Sequence, residues 1–128
     1  MAELRKFLVV DDEAEICDFV KNFFEERNYK VFTALNGNEA LSIVAKEKPP
    51  LVLLDIKMKM VDGLTVLRQI KELDSAIKVI MVSALDEKDK IEEAYRFGAI
   101  GYITKPLILD ELEQAVFKSF GAAEIKNK

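Results

Sequence analysis

Three consecutive acids, Asp11, Asp12 and Glu13, follow directly on the apolar run Phe7–Val10. A fourth acid, Asp55, ends the apolar run Leu51–Leu54. Like charges packed together repel, so a cluster of this kind needs a helix N-terminus, a metal ion or both beside it. Magnesium takes a few carboxylate oxygens and keeps several waters, which suits Asp11, Asp12 and Asp55. A carboxylate can also attack phosphorus and form an aspartyl phosphate. Ser83 follows the run Val79–Val82, and Lys105 with Pro106 follows Gly101–Thr104. A hydroxyl and an ammonium in those places could each meet an oxygen of the moving phosphoryl group. The chemistry that uses this whole set is phosphoryl transfer.

Each member also has a plainer explanation. Asp12 can cap a helix with Glu15 three residues on, and acids there gain roughly 0.3–1 kcal/mol from the helix dipole. Ser83 alone suits a turn, and Lys105 alone suits solvent. Cys17 flanks a helix face as a small packing residue, and Met58 and Met60 suit packing about a loop. Asp55 is different, because no amphipathic pattern starts until Gly63 or Leu64 and it has nothing obvious to cap. The weight lies in whether these residues meet.

The elements that must position them alternate along the chain. Short apolar runs at Phe7–Val10, Lys30–Ala34, Leu51–Leu54, Val79–Val82 and Gly101–Thr104 read as strands. Three of these are nearly continuous in large apolar residues, as strands buried on both faces of a parallel sheet are. Ile16, Phe19, Val20, Phe23 and Phe24 recur at helical spacing, followed by Ala40, Leu41 and Val44, then Val66, Leu67, Ile70 and Leu73. Ile91, Ala94 and Tyr95 mark a fourth helix, and Leu109, Leu112, Val116 and Phe120 a fifth. Asn36 with Glu39 and Asp110 with Glu113 read as helix caps. This alternation predicts an α/β fold, a doubly wound parallel sheet of five strands with helices on both faces. Ligands of such sheets bind beyond the carboxyl ends of the strands, near the point where strand order reverses. Asp11, Asp12, Asp55, Ser83 and Lys105 would converge there, while the second strand offers only Leu35.

Composition bounds the function. The 128 residues suit one domain, with a core over about 6–120 and a frayed tail at 121–128. The chain has no histidine, which excludes histidine general-base catalysis and ordinary zinc ligation. One cysteine allows no internal disulfide and fits a reducing compartment. A net charge of −4 without a basic stripe argues against a nucleic-acid surface. No apolar run approaches the ~20 residues of a membrane span, and no signal peptide is evident at the start.

The segments VVDDE, LLDIKMKMVDG, VSA and GYITKP, in that order and at those spacings, resemble the response-regulator receiver domains of bacterial two-component signalling. The likeness runs from about Lys6 to Phe120. It implies a flavodoxin-like strand order, 2-1-3-4-5. It further implies that Asp55 is the phosphoacceptor and that Asp12, Asp55 and the backbone carbonyl of Lys57 ligate Mg2+ or Mn2+, with Asp11 acting through a metal-bound water. Ser83 resembles the switch hydroxyl, Lys105 the phosphate partner and Tyr102 the switch aromatic, and Lys105–Pro106 is expected to be cis. Lys57 and Leu85, two residues beyond the acceptor and the switch hydroxyl, are expected to shield the phosphoryl group from water. Two features depart from the family. Lys59 stands where proline is usual, so a looser loop is expected, and Ile100, Gly101 and Ala115 replace charges used in one style of receiver dimer.

The partner implied is a sensor histidine kinase or a phosphotransfer protein, in the bacterial cytoplasm. No direct contact with nucleic acid or membrane is implied, and the chain is expected to be a monomer or a weak dimer that forms on phosphorylation. No output domain is visible, so a stand-alone receiver and one cut from a longer chain both fit. Other functions fit the residues less well. An aspartate-nucleophile phosphatase needs a D-x-D spacing after the first strand, which VVDDEAE lacks. A flavin carrier needs a Ser/Thr/Gly-rich phosphate loop where three acids stand. A scaffold that works without phosphorylation has no use for an intact set of Asp11, Asp12, Asp55, Ser83 and Lys105.

Overall fold

The structure, a computed structural model, describes residues 4–84 and 87–121. Strands and helices alternate as β1 (Arg5–Val10), α1 (Ala14–Glu25), β2 (Tyr29–Ala34), α2 (Gly37–Glu47), β3 (Leu51–Asp55) and α3 (Gly63–Leu73). The second half continues as β4 (Lys78–Ser83), α4 (Lys88–Arg96), β5 (Gly101–Thr104) and α5 (Leu109–Ser119). All strand pairs are parallel, in the order β2-β1-β3-β4-β5. The strands expected from the apolar runs are all present, with β1, β2, β3 and β4 longer by one or two residues.

The near-continuous apolar runs are explained by two cores. Leu8, Val10, Val52, Leu54, Val79 and Met81 point to one face, against Ala40 and Val44 of α2, Val66, Leu67 and Ile70 of α3 and Ala94 of α4. Phe7, Val9, Leu51, Leu53, Ile80, Val82 and Ile103 point to the other, against Cys17, Val20 and Phe24 of α1 and Leu112 and Val116 of α5. Successive side chains on a strand point to opposite faces, so a strand covered on both sides is apolar at every position. On α1 the buried stripe is Cys17, Val20 and Phe24. Phe19, at the margin of the helical pattern, is exposed, because the face that meets the sheet is narrower than the apolar arc.

Two caps were expected, and one forms. Asn36 Oδ1 accepts the Glu39 N–H at 2.9 Å, and Glu39 Oε1 accepts the Leu35 N–H at 2.8 Å. Asp110 does not cap α5, whose N-cap is Ile108 with no side-chain bond. The helix starts earlier, closed by Leu112 N–H to Ile108 C=O at 2.9 Å, which leaves Asp110 in the first turn where the dipole still favours an acid. Lys105–Pro106 is cis, as expected. No helix among the described residues is long and apolar enough to cross a membrane. The expected fraying at 121–128 falls almost wholly on 122–128, outside the described residues.

Candidate functional site

Parallel register brings the strand-end residues to one edge. Val10 pairs with Leu54, Asp55 with Val82, and Ser83 with Thr104. Asp11 and Lys105 follow one step beyond. The order reverses at β1, with β2 on one side and β3 on the other, so the crevice for a ligand opens beside Asp11 and Asp55.

Asp11 and Asp55 are buried and Asp12 is half-exposed at the mouth. One carboxylate oxygen from each of the three lies within 4.8 Å of the others. Lys105 Nζ reaches into the cluster, 3.2 Å from Asp55 Oδ2, 3.3 Å from Asp11 Oδ2 and 3.7 Å from Glu13 Oε1. Backbone amides hold the acids in place. Asp11 Oδ1 accepts the Glu13 N–H at 2.9 Å, and Asp55 Oδ1 the Lys57 N–H at a longer 3.4 Å. Asp12 Oδ2 accepts the Lys59 N–H at 2.8 Å. Capping does not account for these acids: the N-cap of α1 is Glu13, without a side-chain bond, and the Asp12 carboxylate turns across to the loop after β3.

The electrostatics of the cluster are strained. The Asp55 carboxyl is pushed up from 3.8 to about 6, first by burial and then by the charge of Asp11, against the opposing pull of Lys105. Burial alone would lower Lys105, but the charges of Asp55 and Asp11 outweigh it and raise the ammonium above its ordinary value. One lysine therefore does not neutralise the acids. Cys17 donates to the Asp11 carbonyl at 3.5 Å, and burial followed by the Asp11 charge pushes its thiol up to about 11. It stays a protonated packing group, inert as a nucleophile.

The donor set fits a hard divalent cation. It consists of carboxylate oxygens with no sulfur or nitrogen ligand, open on the side of half-exposed Asp12. A second observation points to a ligand as well. Ser83 Oγ is buried at the end of β4 with no hydrogen-bond partner among the described residues. Buried hydroxyls without partners are uncommon, and this one is free to bond an incoming oxygen.

Asp11, Asp12, Asp55 and Lys105 thus meet, with Ser83 on the neighbouring strand end. Tyr102 is exposed on the edge strand β5, edge-on to Tyr95 with ring centroids 6.4 Å apart. Ile100, Gly101, Tyr102 and Ala115 line one shallow groove there. Lys57 is exposed beside the pocket, Met58 is buried and Met60 projects into solvent, while Leu85 lies outside the described residues.

Three contributors are not apparent from sequence. The Lys59 amide is invisible because backbone donors carry no residue signature. Glu87 is buried before α4, where its Oε1 accepts the Ala84 N–H at 2.9 Å, and a lone glutamate at a helix start gives no clue to this. Gly63 lets the first turn of α3 press on the end of β3: a Cβ there would stand 2.3 Å from the Asp55 carbonyl oxygen and 2.7 Å from Ile56 Cα. Its N–H donates to the Ile56 carbonyl at 2.7 Å. Gly63→Ala is expected to lower stability by about 1–3 kcal/mol through overpacking, seen as a fall in Tm of about 5 °C or more without metal. An unchanged Tm would show that the loop yields freely.

Comparison with known proteins agrees with this geometry. The family model described as response regulator receiver domain matches residues 7–117. Sporulation initiation phosphotransferase F of Bacillus subtilis (strain 168) is 42% identical over 113 residues, covering 88% of this chain and 91% of that protein. Transcriptional regulatory protein ZraR of Salmonella typhimurium is 34% identical over 112 residues, 88% of this chain but only 25% of that protein. Among solved structures, the receiver domain of NtrX from Brucella abortus superposes with a TM-score of 0.85 at 31% identity, covering 91% of this chain and 98% of that one. A CheY-like receiver domain protein from Methanospirillum hungatei JF-1 gives 0.89 at 28% identity, covering 96% and 98%. The strand order that the sequence resemblance implied is therefore observed, with the acids at its crevice, and the chain belongs to the response regulator receiver domain family.

Proposed function

We propose that Asp55 is the phosphoacceptor of this receiver. The observation that carries the reading is the gathering, at one edge of the sheet, of three carboxylates, the Lys105 ammonium and a Ser83 hydroxyl with no partner among the described residues. A carboxylate oxygen of Asp55 attacks the phosphorus of a phosphohistidine or a small acyl phosphate, and the bond to the donor's leaving group breaks. Lys105 then exchanges its contact with Asp55 for the phosphoryl oxygens, and Ser83 Oγ gains a phosphoryl oxygen as partner. Asp11, Asp12, Asp55 and the Lys57 carbonyl are the residues that would hold Mg2+ or Mn2+. When bound, that ion neutralises charge on the phosphoryl oxygens. The chain is not a conventional enzyme on this reading, because it catalyses only its own phosphorylation and dephosphorylation.

The partner that fits is a histidine kinase or a phosphotransfer protein, and the name of the Bacillus subtilis relative, a phosphotransferase, supports a phosphotransfer setting. The effector surface we assign is α4, β5 and α5. Movement of Ser83 toward the phosphoryl group would leave room for Tyr102 to turn inward from its exposed position, reshaping that surface as a two-state element. A scaffold role without phosphorylation is disfavoured by the complete acid–lysine–hydroxyl set.

The test is incubation with acetyl phosphate, with and without Mg2+, followed by intact-mass spectrometry. One added phosphate is expected only with the metal, and none in Asp55→Asn. An unchanged wild-type mass, or a phosphate that survives the substitution, would overturn the assignment.

A further inference from the structure

We infer that the backbone N–H of Lys59 is a positioning group for the metal site, holding Asp12 in its ligating orientation; this rests on the reading of the acid cluster given above. Asp12 is the exposed member of the cluster. Asp11 and Asp55 are confined by the packing around them, whereas a half-exposed aspartate can swing into solvent. Least buried of the three, Asp12 depends most on an outside restraint, and the Lys59 amide supplies one at 2.8 Å from Oδ2.

The bond and the ligating arrangement coexist. With the amide bond made, an Asp12 oxygen lies within 4.8 Å of the ligand oxygens of Asp11 and Asp55. An ionised carboxylate offers about four lone-pair sites, so one N–H leaves Oδ1 and the second lone pair of Oδ2 free for a cation. The restraint therefore orders the ligand without competing for it. Groups that orient a ligand in this way typically change metal affinity by about 10–100-fold.

The same bond ties two parts of the site together. The loop 56–62 is closed at its base by the Gly63 N–H to the Ile56 carbonyl and by antiparallel pairing of Lys57 with Asp62. Lys59 sits in that loop, so its amide fastens the segment that carries Lys57 to the acid following β1. A proline at position 59 could not do this, since proline has no N–H. Where proline is absent, the amide of this chain does the holding that ring rigidity could otherwise do.

The experiment compares four proteins at position 59: wild type, Lys59→Ala, Lys59→Pro, and a form with lactic acid in place of the residue. The last puts an ester oxygen where the alanine N–H stands and adds no ring restraint. Mg2+ dissociation constants are measured by titration calorimetry, with circular dichroism to confirm folding. Lys59→Ala, which keeps the N–H and loses only the side-chain charge, is expected to stay within about twofold of wild type, while the ester and Lys59→Pro each bind about tenfold more weakly. In wild type the Lys59 amide proton should resonate far downfield and shift upfield in Asp12→Ala. An ester form that binds as tightly as Lys59→Ala overturns the inference, whatever the proline variant does, because a loss confined to proline is ring strain. Wild type that takes up no Mg2+ at millimolar concentration instead overturns the reading of the acid cluster itself.

Discussion

In metal-free buffer at pH 7.5, the Asp55→Asn protein is expected to unfold about 5–10 °C above the wild type. The Asp55 carboxyl titrates near 6 in the folded chain against 3.8 as a free side chain, because burial and the neighbouring Asp11 both disfavour its charge. The folded state thus holds this proton more tightly than the unfolded state does. That contribution to stability is complete below about pH 4 and is lost as the pH rises through about 6. Above that point the ionised carboxylate costs the fold up to about 3 kcal/mol, at roughly 1.4 kcal/mol for each unit of displacement. Asparagine keeps the shape and drops the charge, giving up some of the contact with Lys105. The measurement is thermal unfolding of both proteins from pH 4.5 to 8. The gap should nearly close at the acid end, and Mg2+ should narrow it at pH 7.5 by stabilising only the wild type. A gap that is absent at pH 7.5, or equally wide at pH 4.5, would show that Asp55 is not under this electrostatic load.

Lys105→Met is expected to pull two properties in opposite directions. In the metal-free protein the ammonium serves as counterion to Asp55, Asp11 and Glu13 at 3.2, 3.3 and 3.7 Å. Removing it leaves buried acids facing one another. Complete burial of such a network would make the loss about 3–5 kcal/mol, and the side chain's 26% exposure reduces the expectation to about 1–3 kcal/mol. Affinity for Mg2+ should rise instead, by about tenfold or more at pH 8, because a positive charge no longer sits among the carboxylates proposed to hold the ion. Uptake of phosphate should fall, since no ammonium remains to meet the phosphoryl oxygens. A lysine with a merely structural role would lower stability and metal affinity together. Unfolding in EDTA and calorimetric titration with Mg2+ separate the two cases, and affinity that falls or does not change rules out the competition.

Much of the molecule is legible in its residues. The apolar runs imply strands covered on both faces, and the observed sheet buries Leu8 and Val10 on one side and Phe7 and Val9 on the other. The helices follow from their spacing, because burial of one face selects a 3.6-residue period. Asp55 stands out by itself, as an acid at a strand end with no helix to cap. The margins are less legible: Phe19 and Leu73 belong to their helical patterns yet are exposed, since periodicity cannot say how wide a strip the neighbouring sheet covers.

Residue order alone sets the succession of the elements, the kinds of side chain at each strand end and the lack of any imidazole or cysteine cluster. What those side chains do to one another follows from how the chain packs. Whether Asp12 caps α1 or turns toward Asp11 and Asp55 depends on a backbone N–H 47 residues away, which chain folding alone brings to 2.8 Å. Whether Asp55 is an ordinary carboxylate depends on burial beside Asp11, set by the β1–β3 register. Gly63 is needed only because α3 presses on the end of β3, where a Cβ would stand 2.3 Å from the Asp55 carbonyl oxygen. Hydrogen bonding and desolvation act over a few ångströms in space, so they read distances that one-dimensional spacing does not contain.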